Sequence, residues 1–389
     1  MSQLEEYRDQ IDAVDRELVE LFRRRMDITA RVGQYKLERQ MPVLDAARER
    51  RVVEARTAMV ADPALKADVA ELYASIMAIS RRQQRRLVHE GTEDPGYAAW
   101  LADLSRSRRP VENPRVAYQG EPGCYSEEAA VGFFGPGVNS RGMAWFTDVF
   151  AALDAGEADY AVLPVENSST GSIRQVYDLL AQYRYYIVGE WQVKVEHCLM
   201  ALPGVTMEDI RTVYSHEQGL MQSERFLDAH RDWRRVPTLD TAGSAKEVAA
   251  SGDRTAAAIC SRRAAEIYGL NILAEGVNYN NANTTRFVVV SPVPEHRKER
   301  NKISALFTLP HQRGSLHEIL TIFAVQNLNL LKIESRPIPG RNWEYLFFLE
   351  FTGDLDAPGM DGVLHELSQL AAGMRILGNF KAYEPEEQP

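Results

Sequence analysis

Residues 4–37 read LEEYRDQIDAVDRELVELFRRRMDITARVGQYKL, and this stretch decides the fold of the first part of the chain. Apolar residues recur in it at intervals of three and four, which predicts one long helix with a single apolar seam. The seam positions are Leu4, Tyr7, Ile11, Val14, Leu18, Leu21, Ile28, Val32 and Tyr35. A helix of this length spans about 51 Å at 1.5 Å per residue. Because residues 1–90 offer it little to pack against, we expect a second copy of the chain to cover it, in a homodimer or a dimer of dimers.

Cations interrupt this seam. Arg25 occupies the position between Leu21 and Ile28, where a guanidinium is costly unless an anion meets it. Lys36 follows three turns later and faces the same way, whereas Arg8 lies about 100° around the helix. We therefore expect Arg8 to serve a site on the other subunit. The alternative for any one cation is a solvated face. We assign it to Arg23, Arg24, Arg81, Arg82, Arg85 and Arg86, with complementing of a helix dipole as the other possibility for the last four.

Two more helices are predicted in residues 1–90. Pro42 ends the first helical region, and Asp45 can cap the second helix. The third helix covers about 64–87, and its polar side chains lie next to apolar ones. Four polar side chains are predicted on the buried faces of the second and third helices: Arg48, Glu49, Ser80 and Gln84. Together with Arg25 and Lys36 they form a cluster of cations, neutral donors and one carboxylate.

This block resembles the all-helical chorismate mutase of the bacterial bifunctional type, over residues 4–87. The matching positions are Arg8, Arg25, Gly33 with Lys36, Asp45 with Arg48 and Glu49, and Ser80 with Gln84. The resemblance implies rearrangement of chorismate to prephenate without a cofactor. It implies that Arg8, Arg25 and Arg48 bind carboxylates, that Lys36 and Gln84 donate to the ether oxygen, that Glu49 accepts from the ring hydroxyl, and that Asp45 and Ser80 assist. Preorganised hydrogen bonding would lower the barrier.

From Arg115 onward, short β-branched runs alternate with helical patterns, which predicts α/β units. A Gly-rich turn precedes a helix that Ser126 can cap, but it does not match the dinucleotide-binding GxGxxG pattern. Seven polar or Gly residues, 166–172, follow a buried strand, and similar junctions occur near 215 and 241. Strand ends that meet helix N-termini in two α/β sets predict a two-lobed cleft for an anionic ligand.

These segments resemble prephenate dehydratase over about 115–290. The matching motifs are Gly120-x-x-Gly with Tyr125-Ser-Glu-Glu-Ala-Ala, Pro164-Val-Glu-Asn-Ser with Gly171-Ser-Ile, Tyr214-Ser-His-x-Gln, Asp240-Thr-Ala-x-Ser-Ala and Thr285-Arg-Phe. Cys124 and Gly219 depart from the usual Ser and Ala. The resemblance implies a fold like the periplasmic binding proteins and loss of the prephenate ring hydroxyl with decarboxylation, giving phenylpyruvate.

The same resemblance assigns the roles in this cleft. Thr285 is implied as the general acid, although a threonine hydroxyl is a poor acid unless its neighbours help. Substrate positioning is implied for Glu166, Asn167 and Gln218, and carboxylate binding for Ser168, Thr170 and Gly171. Arg286 either binds a carboxylate or is structural. For His197, a satisfied structural role is preferred over acid–base chemistry.

Residues 303–383 predict a βαββαβ unit without a catalytic cluster. The pattern resembles the ACT domain, a small-molecule sensor. The matching residues are Gly314, Ser315 and Leu316, and then Glu334, Ser335, Arg336 and Pro337. The resemblance implies regulatory binding of phenylalanine at these positions and feedback inhibition.

Composition limits the remaining possibilities. The chain has 389 residues and a net charge of −10, which argues against nucleic-acid binding. The charge is uneven: residues 1–90 contain 17 Lys and Arg and 16 Asp and Glu, whereas the rest of the chain contains 28 Lys and Arg and 39 Asp and Glu. The three cysteines are scattered, and the sequence has no secretory start, which predicts a cytoplasmic protein. Because it shows neither metal-ligand spacing nor a long apolar run, we expect no metal, no cofactor and no membrane partner.

The chain is predicted to be multi-domain, with a helical domain (1–90), a linker (91–113), an α/β domain (114–291) and an α+β domain (302–383). The function predicted is a bifunctional enzyme of phenylalanine biosynthesis. Two alternatives stay open: a non-enzymatic amino-acid sensor with a decayed ligand domain, and a mutase–dehydrogenase, against which the missing dinucleotide fingerprint counts.

Overall fold

The computed structural model describes residues 2–89, 95–280, 282–312, 314–338 and 340–384. The first residues of the predicted linker, 91–94, and Pro339 lie outside these ranges, as do the side chains of Arg85, Arg86, Tyr97 and Trp100. Three units follow one another along the chain: a helical unit, an α/β unit with two sheets, and a C-terminal α+β unit.

The helical unit contains α1 (Gln3–Glu38), α2 (Ala46–Thr57) and α3 (Pro63–His89). A capping box between Ser2 and Glu5 begins α1, and the Asp45 carboxylate caps α2 by accepting from the Arg48 N–H at 2.9 Å. Gly33 lies where α1 packs on α3, because a Cβ there would come within 3.1 Å of Gln84 Cγ. The absence of a side chain at Gly33 therefore lets the two helices approach closely enough to share a cavity.

The apolar seam of α1 is exposed along its whole length. The exposed fraction is 57% for Leu4, 58% for Ile11 and 55% for Leu18. A stripe of large apolar side chains along one helix is a surface that soluble proteins usually bury against a partner. This is the exposure expected if a second subunit covers the seam.

The predicted linker contains a helix, α4 (Pro95–Leu104). Its last residue, Leu104, packs against the core of the C-terminal unit. The segment between the helical and α/β units is therefore docked on the protein over this helix.

The α/β unit is built from two mixed sheets. The first lobe begins with β1 (Arg115–Gln119), α5 (Tyr125–Phe134), β2 (Asn139–Met143), α6 (Phe146–Asp154), β3 (Tyr160–Asn167), β4 (Gly171–Ser172), α7 (Arg174–Gln182) and β5 (Tyr186–Lys194). The second lobe contains β6 (His197–Ala201), β7 (Thr212–His216), α8 (Glu217–Gln222), α9 (Glu224–Asp228), β8 (Arg234–Thr238), α10 (Thr241–Ser251), β9 (Ala256–Ser261), α11 (Arg262–Tyr268) and β10 (Asn271–Ala274). The chain then returns to the first lobe through β11 (Thr284–Ser291).

The strand orders show how the lobes are connected. The first sheet runs β2-β1-β3-β11-β5, with β4 beside β3, and the second runs β10-β6-β9-β7-β8. Strand β11 is antiparallel to both β3 and β5, and it pairs Thr285 with Asn167 and Arg286 with Glu166. Because β11 lies in the middle of the first sheet, the return strand brings a late sequence motif beside an early one.

The C-terminal unit has the predicted βαββαβ order: β12 (Lys302–Thr308), α12 (Ser315–Val325), β13 (Leu330–Pro337), β14 (Tyr345–Thr352), α13 (Met360–Leu370) and β15 (Ala372–Phe380). Its antiparallel sheet runs β13-β14-β12-β15. Phe348 and Phe380 join a hydrophobic cluster with Leu180 and Ile187 of the first lobe. The C-terminal unit therefore shares a core with the α/β unit. None of the helices in the described ranges is long and apolar enough to cross a membrane.

Candidate active sites

A cavity of about 480 Å³ lies between α1, α2 and α3. Its lining includes four cations, Arg25, Lys36, Arg48 and Arg56, and the carboxylates of Asp45 and Glu49. Ser80, Arg81 and Gln84 line it from α3. The structure thus brings together every residue predicted for the helical site except Arg8.

Arg25 is held in the cavity wall by neutral partners. Its Nη1 donates to Ser80 Oγ at 2.6 Å, and Ser80 Oγ donates in turn to the Ile76 carbonyl at 2.7 Å. Burial lowers the pKa of Arg25, and the nearby cation Arg56 acts in the same direction. A guanidinium held in this way favours an anion in the cavity.

Within the described part of the chain, neither Arg25, Lys36 nor Arg48 forms an ion pair with a carboxylate. Lys36 Nζ donates to the Val43 carbonyl at 2.5 Å, which leaves its other protons available. The buried Gln84 amide oxygen also has no hydrogen-bond partner among the described residues. A small ligand with two carboxylates would satisfy these cations, and a hydroxyl on the ligand could donate to the Gln84 amide oxygen.

Arg8 and Arg81 differ in their placement. Arg8 lies on the exposed surface of α1 and does not line the cavity of its own chain. Arg81 was expected on a solvated face, but its side chain is only 14% exposed and forms ion pairs with Glu49 and Glu318. Arg82 likewise pairs with Glu366, at 3.3 Å. The prediction of solvated faces for Arg81 and Arg82 is therefore corrected, because the C-terminal unit covers this end of α3.

A second cavity, of about 610 Å³, lies between the two lobes of the α/β unit. Asn167 and Thr285 line it from the first lobe, and His197, His216 and Asp240 from the second. The starts of α5, α7 and α10 also face it, through Ser126, Ile173 and Thr241. The described lining contains neither Lys nor Arg. An anion there would be held by backbone N–H groups and neutral side chains.

The Thr285 hydroxyl is oriented by Asn167. Asn167 Nδ2 donates to Thr285 Oγ1 at 2.9 Å, while Asn167 Oδ1 accepts from the N–H groups of Ser169 and Thr170, each at 3.0 Å. Because Thr285 Oγ1 accepts this bond, its own proton is available to a ligand in the cavity. The Asn167 N–H would also stabilise charge that builds on the oxygen as that proton is shared.

A hydrogen-bonded chain of buried side chains continues behind this pair. Asn167 Nδ2 also donates to Asn283 Oδ1 at 2.8 Å, and Asn283 Nδ2 donates to Gln222 Oε1 at 3.1 Å. Gln222 Oε1 lies 3.0 Å from His197 Nε2, and His197 Nδ1 lies 3.0 Å from the Tyr125 hydroxyl. The chain links the two lobes and fixes Asn167.

His197 is uncharged in this arrangement. Burial lowers its pKa to about 4, opposed by the hydrogen bond with Gln222. The amide oxygen of Gln222 accepts from Nε2–H, which leaves Nδ1 to accept from Tyr125. This agrees with the structural role preferred for His197 from the sequence.

Acidification should therefore cost stability through His197. Between pH 6.5 and 4 the unfolded chain binds a proton on this histidine that the folded protein does not, so the free energy of unfolding falls as the pH falls. The expected loss is about 3 kcal/mol across that interval. Denaturant unfolding of wild type and His197→Gln at several pH values measures it. An equally steep fall in the variant would assign the loss to other groups.

Glu166 and Arg286 point away from the inter-lobe cavity. Arg286 forms ion pairs with Glu166 at 3.3 Å, with Glu190 at 3.1 Å and with Glu350 at 2.9 Å. Burial opposes the charge of Arg286, but Glu350 and Glu190 outweigh it and raise its pKa. Glu166 also pairs with Lys332 at 2.9 Å. We therefore leave Glu166 and Arg286 out of the substrate contacts and assign them to the junction with the C-terminal unit.

Of the other residues predicted for the cleft, two line the inter-lobe cavity and two do not. Gln218 and Thr170 line the cavity, whereas Ser168 and Gly171 are exposed and do not. Ser168 Oγ instead accepts from the Thr284 N–H at 2.9 Å, which ties the loop after β3 to the start of β11. Its part in the site is to hold that loop in place.

The residues predicted to be regulatory lie at two places in the C-terminal unit. Gly314, Ser315 and Leu316 begin α12, and Glu334, Ser335, Arg336 and Pro337 end β13. Glu334 accepts from Ser172 at 2.8 Å, and Arg336 forms a double hydrogen bond with Asp178, at 2.7 and 2.9 Å. The second group therefore contacts the first lobe directly.

Among the described residues, no three or more His, Cys, Asp or Glu side chains are arranged to hold a metal ion. Cys124, Cys198 and Cys260 are all buried and unpaired. Burial raises the pKa of Cys124, which lines the inter-lobe cavity, to about 12, so its thiol is a poor nucleophile there.

Two contributors were missed from the sequence. Asn283 and Gln222 orient the Asn167–Thr285 pair but were given no role. A signal existed for each: Asn283 directly precedes the Thr-Thr-Arg-Phe motif, and Gln222 lies one helical turn after Gln218.

The geometry defines a class of protein: an enzyme with two separate cavities for anionic substrates, one in a helical domain and one in an α/β cleft. Family models agree with this division. Residues 7–85 match the chorismate mutase type II model, and residues 116–295 match the prephenate dehydratase model.

Individual proteins are similar over longer stretches. The bifunctional chorismate mutase/prephenate dehydratase of Escherichia coli K12 is 32% identical over 385 residues, which covers 95% of this chain and 94% of that protein. Arogenate dehydratase 3 of Arabidopsis thaliana is 40% identical, over 72% of this chain and 70% of that protein. The structure of prephenate dehydratase from Arthrobacter aurescens in complex with L-Phe superposes with a TM-score of 0.63 at 30% identity, covering 71% of this chain and 92% of that chain.

The chain belongs to the family of bifunctional chorismate mutase/prephenate dehydratases. It rearranges chorismate to prephenate and converts prephenate to phenylpyruvate. The mutase is the helical domain, and the dehydratase is the α/β unit that the second family model covers.

Proposed function

We propose that the helical cavity binds chorismate through its unpaired cations and that Thr285 acts as the acid in the inter-lobe cleft. The observation that carries this proposal is the set Arg25, Lys36 and Arg48, which surrounds one cavity without an ion-pair partner among the described residues. Forked contacts from two guanidiniums suit the two carboxylates of the substrate.

The mutase reaction needs a folded substrate and donors at one oxygen. As the ether C–O bond breaks and the new C–C bond forms, negative charge builds on the ether oxygen. Lys36 and Gln84 line the cavity and donate to this oxygen in the proposed reaction, while Glu49 accepts from the ring hydroxyl. Asp45 caps α2 beneath Arg48, and Ser80 holds Arg25, so these two residues act by positioning the cations.

The dehydratase reaction breaks two bonds. The C–C bond to the ring carboxylate releases carbon dioxide, its electron pair makes the ring aromatic, and the ring hydroxyl leaves as water after taking a proton. Thr285 donates towards the leaving oxygen, while Asn167 stabilises the threonine oxygen. The substrate's side-chain carboxylate suits the N–H groups and neutral side chains of the cleft, among them Gln218 and Thr170.

A direct assay tests the proposal. Purified protein is given chorismate, and phenylpyruvate is followed by its absorbance in alkali. Formation of phenylpyruvate with transient prephenate is expected. A protein that binds phenylalanine but leaves chorismate unchanged would favour the alternative, a non-enzymatic sensor. The reduced, buried cysteines are consistent with a cytoplasmic enzyme, which we also propose.

We further propose that the C-terminal unit is an ACT-type sensor for phenylalanine and that the α/β unit has the two-lobed form of the periplasmic binding proteins. The Arthrobacter aurescens dehydratase named above was solved with L-Phe. In this chain Lys332, Glu334 and Arg336 of β13 contact Glu166, Ser172 and Asp178 of the first lobe. A ligand that moves β13 would therefore move the loop that carries Asn167.

Phenylalanine should accordingly lower dehydratase turnover, and Asp178→Asn should weaken that effect, because it removes the charge that holds Arg336. Half-inhibitory concentrations of L-phenylalanine are measured for both proteins, with D-phenylalanine as the control. Tight binding of L-phenylalanine without any change in turnover would leave the unit as a dimerisation module.

We also propose that a second subunit covers the exposed seam of α1 and that Arg8 of the partner subunit completes the mutase cavity. Arg8→Ala and Arg25→Ala should each be nearly inactive as a mutase. If the two variants exchange subunits, half of the dimers are mixed and each holds one complete site, so about one quarter of wild-type activity should return. Sedimentation velocity checks the dimer. A monomer at micromolar concentration, or no recovery despite exchange, would contradict the proposal.

A further inference from the structure

Arg81 touches both the mutase cavity and the C-terminal unit. One guanidinium nitrogen, Nη1, pairs with Glu49, and the other, Nη2, lies 2.5 Å from Glu318 Oε1 on α12. The side chains of Arg81, Glu49 and Glu318 are 14%, 24% and 20% exposed. The same guanidinium therefore joins a proposed substrate contact to another domain.

The ion pairs of Arg81 with Glu49 and Glu318 lie at the boundary between two cavities. A separate cavity of about 770 Å³ lies between α2, α3 and the C-terminal unit. Glu49, Met77 and Arg81 line both this cavity and the mutase cavity, and Ser315 and Glu318 line it from α12. The start of α12 thus lies one side chain away from the mutase site.

Both carboxylates, Glu49 and Glu318, stabilise the positive charge of Arg81. Burial disfavours its charge, but Glu49 and Glu318 outweigh burial and raise the pKa of Arg81. Arg81 Nε is buried without a hydrogen-bond partner among the described residues. A buried guanidinium that loses one of two carboxylates is left partly uncompensated, so it has to move towards water or towards the remaining carboxylate.

We propose that Arg81 is a positioning residue of the mutase: it fixes the Glu49 carboxylate for the substrate hydroxyl, and Glu318 of the C-terminal unit fixes Arg81. The inference rests on the proposed role of Glu49 in the mutase reaction. It makes the mutase site sensitive to any movement of the start of α12, where Gly314 and Ser315 lie.

A neighbouring contact provides a matched control. Arg82 pairs with Glu366 of α13 at 3.3 Å, on the same surface between the domains. Arg82 does not line the mutase cavity. Glu366→Gln therefore alters the docking surface without altering the contact to Glu49.

The test is a double-mutant cycle on the full-length protein. Mutase kcat and KM and dehydratase turnover are measured for wild type, Glu318→Gln, Arg81→Gln, the double variant and Glu366→Gln. Glu318→Gln should lower mutase kcat/KM about threefold to tenfold, with dehydratase turnover unchanged, and should add little in the Arg81→Gln background. Arg81→Lys should recover only part of the loss, because lysine lacks the fork.

Three results would overturn the inference. Glu318→Gln leaves mutase kcat/KM within about twofold of wild type, its effect multiplies fully with that of Arg81→Gln, or Glu366→Gln lowers the mutase as much as Glu318→Gln does. Retained dehydratase turnover shows that each variant is folded. Failure of the proposed role of Glu49 is distinguishable, because Glu49→Gln would then keep mutase kcat/KM within about twofold of wild type.

Discussion

Thr285→Ala is expected to lower dehydratase turnover by at least about a hundredfold, the usual scale for loss of a positioned proton donor. The Asn167 amide orients the Thr285 hydroxyl towards the inter-lobe cavity, and alanine removes the only proton that this pair directs there. Turnover of prephenate is measured from phenylpyruvate formation. The mutase should be unaffected, because Thr285 lies in a different unit from the helical cavity.

Thr285→Ser is the matched control. It keeps the hydroxyl and the acceptor for Asn167 while removing a methyl group, so it should retain much more activity than the alanine variant. Full dehydratase turnover in Thr285→Ala would refute the assignment of the acid.

Lys36→Ala is expected to lower mutase turnover by about 10²–10³, the scale for one lost transition-state donor. Lys36 lines the mutase cavity, and among the described residues its ammonium group donates only to the Val43 carbonyl. Chorismate consumption measures the effect, and dehydratase turnover with added prephenate should stay at the wild-type level.

Arg24→Ala controls for the loss of a positive charge from α1, since Arg24 is exposed and lies outside the cavity. It should keep mutase activity near wild type. A loss below tenfold in Lys36→Ala would mean that Lys36 is not the donor to the ether oxygen.

The long helix shows how much periodicity alone can predict. The expected helix, 4–37, is observed as Gln3–Glu38, and the third helix, about 64–87, as Pro63–His89. Local patterns also place Arg25 and Lys36 correctly on one face, because residues eleven apart share a side of a helix. The two residues do line one cavity.

Two residues predicted for the cleft do not line the inter-lobe cavity. The sequence predicts substrate positioning for Glu166, next to Asn167, and either carboxylate binding or a structural role for Arg286, next to Thr285. Successive side chains of a strand point to opposite faces, so a residue next to one in the cavity points away from it. The sequence shows that neighbouring side chains of these strands point to opposite faces, but it does not show which face borders the cavity.

Arg81 could not be placed by any local pattern. Its partner Glu318 is 237 residues away and belongs to a different domain. In the sequence, Arg81 is one of four arginines near the end of a helix, which is typical of a solvated face. The packing of the C-terminal unit against α3 gives Arg81 this partner, and no local pattern in the sequence shows that packing.

One chain of this enzyme carries two independent sites that act in sequence. A mixture of purified Lys36→Ala and purified Thr285→Ala, supplied with chorismate, tests this arrangement. Each variant alone should form almost no phenylpyruvate, whereas the mixture should form it readily, since prephenate made by one protein is dehydrated by the other. A mixture as inactive as its components would contradict the account, because both residues would then belong to a single activity.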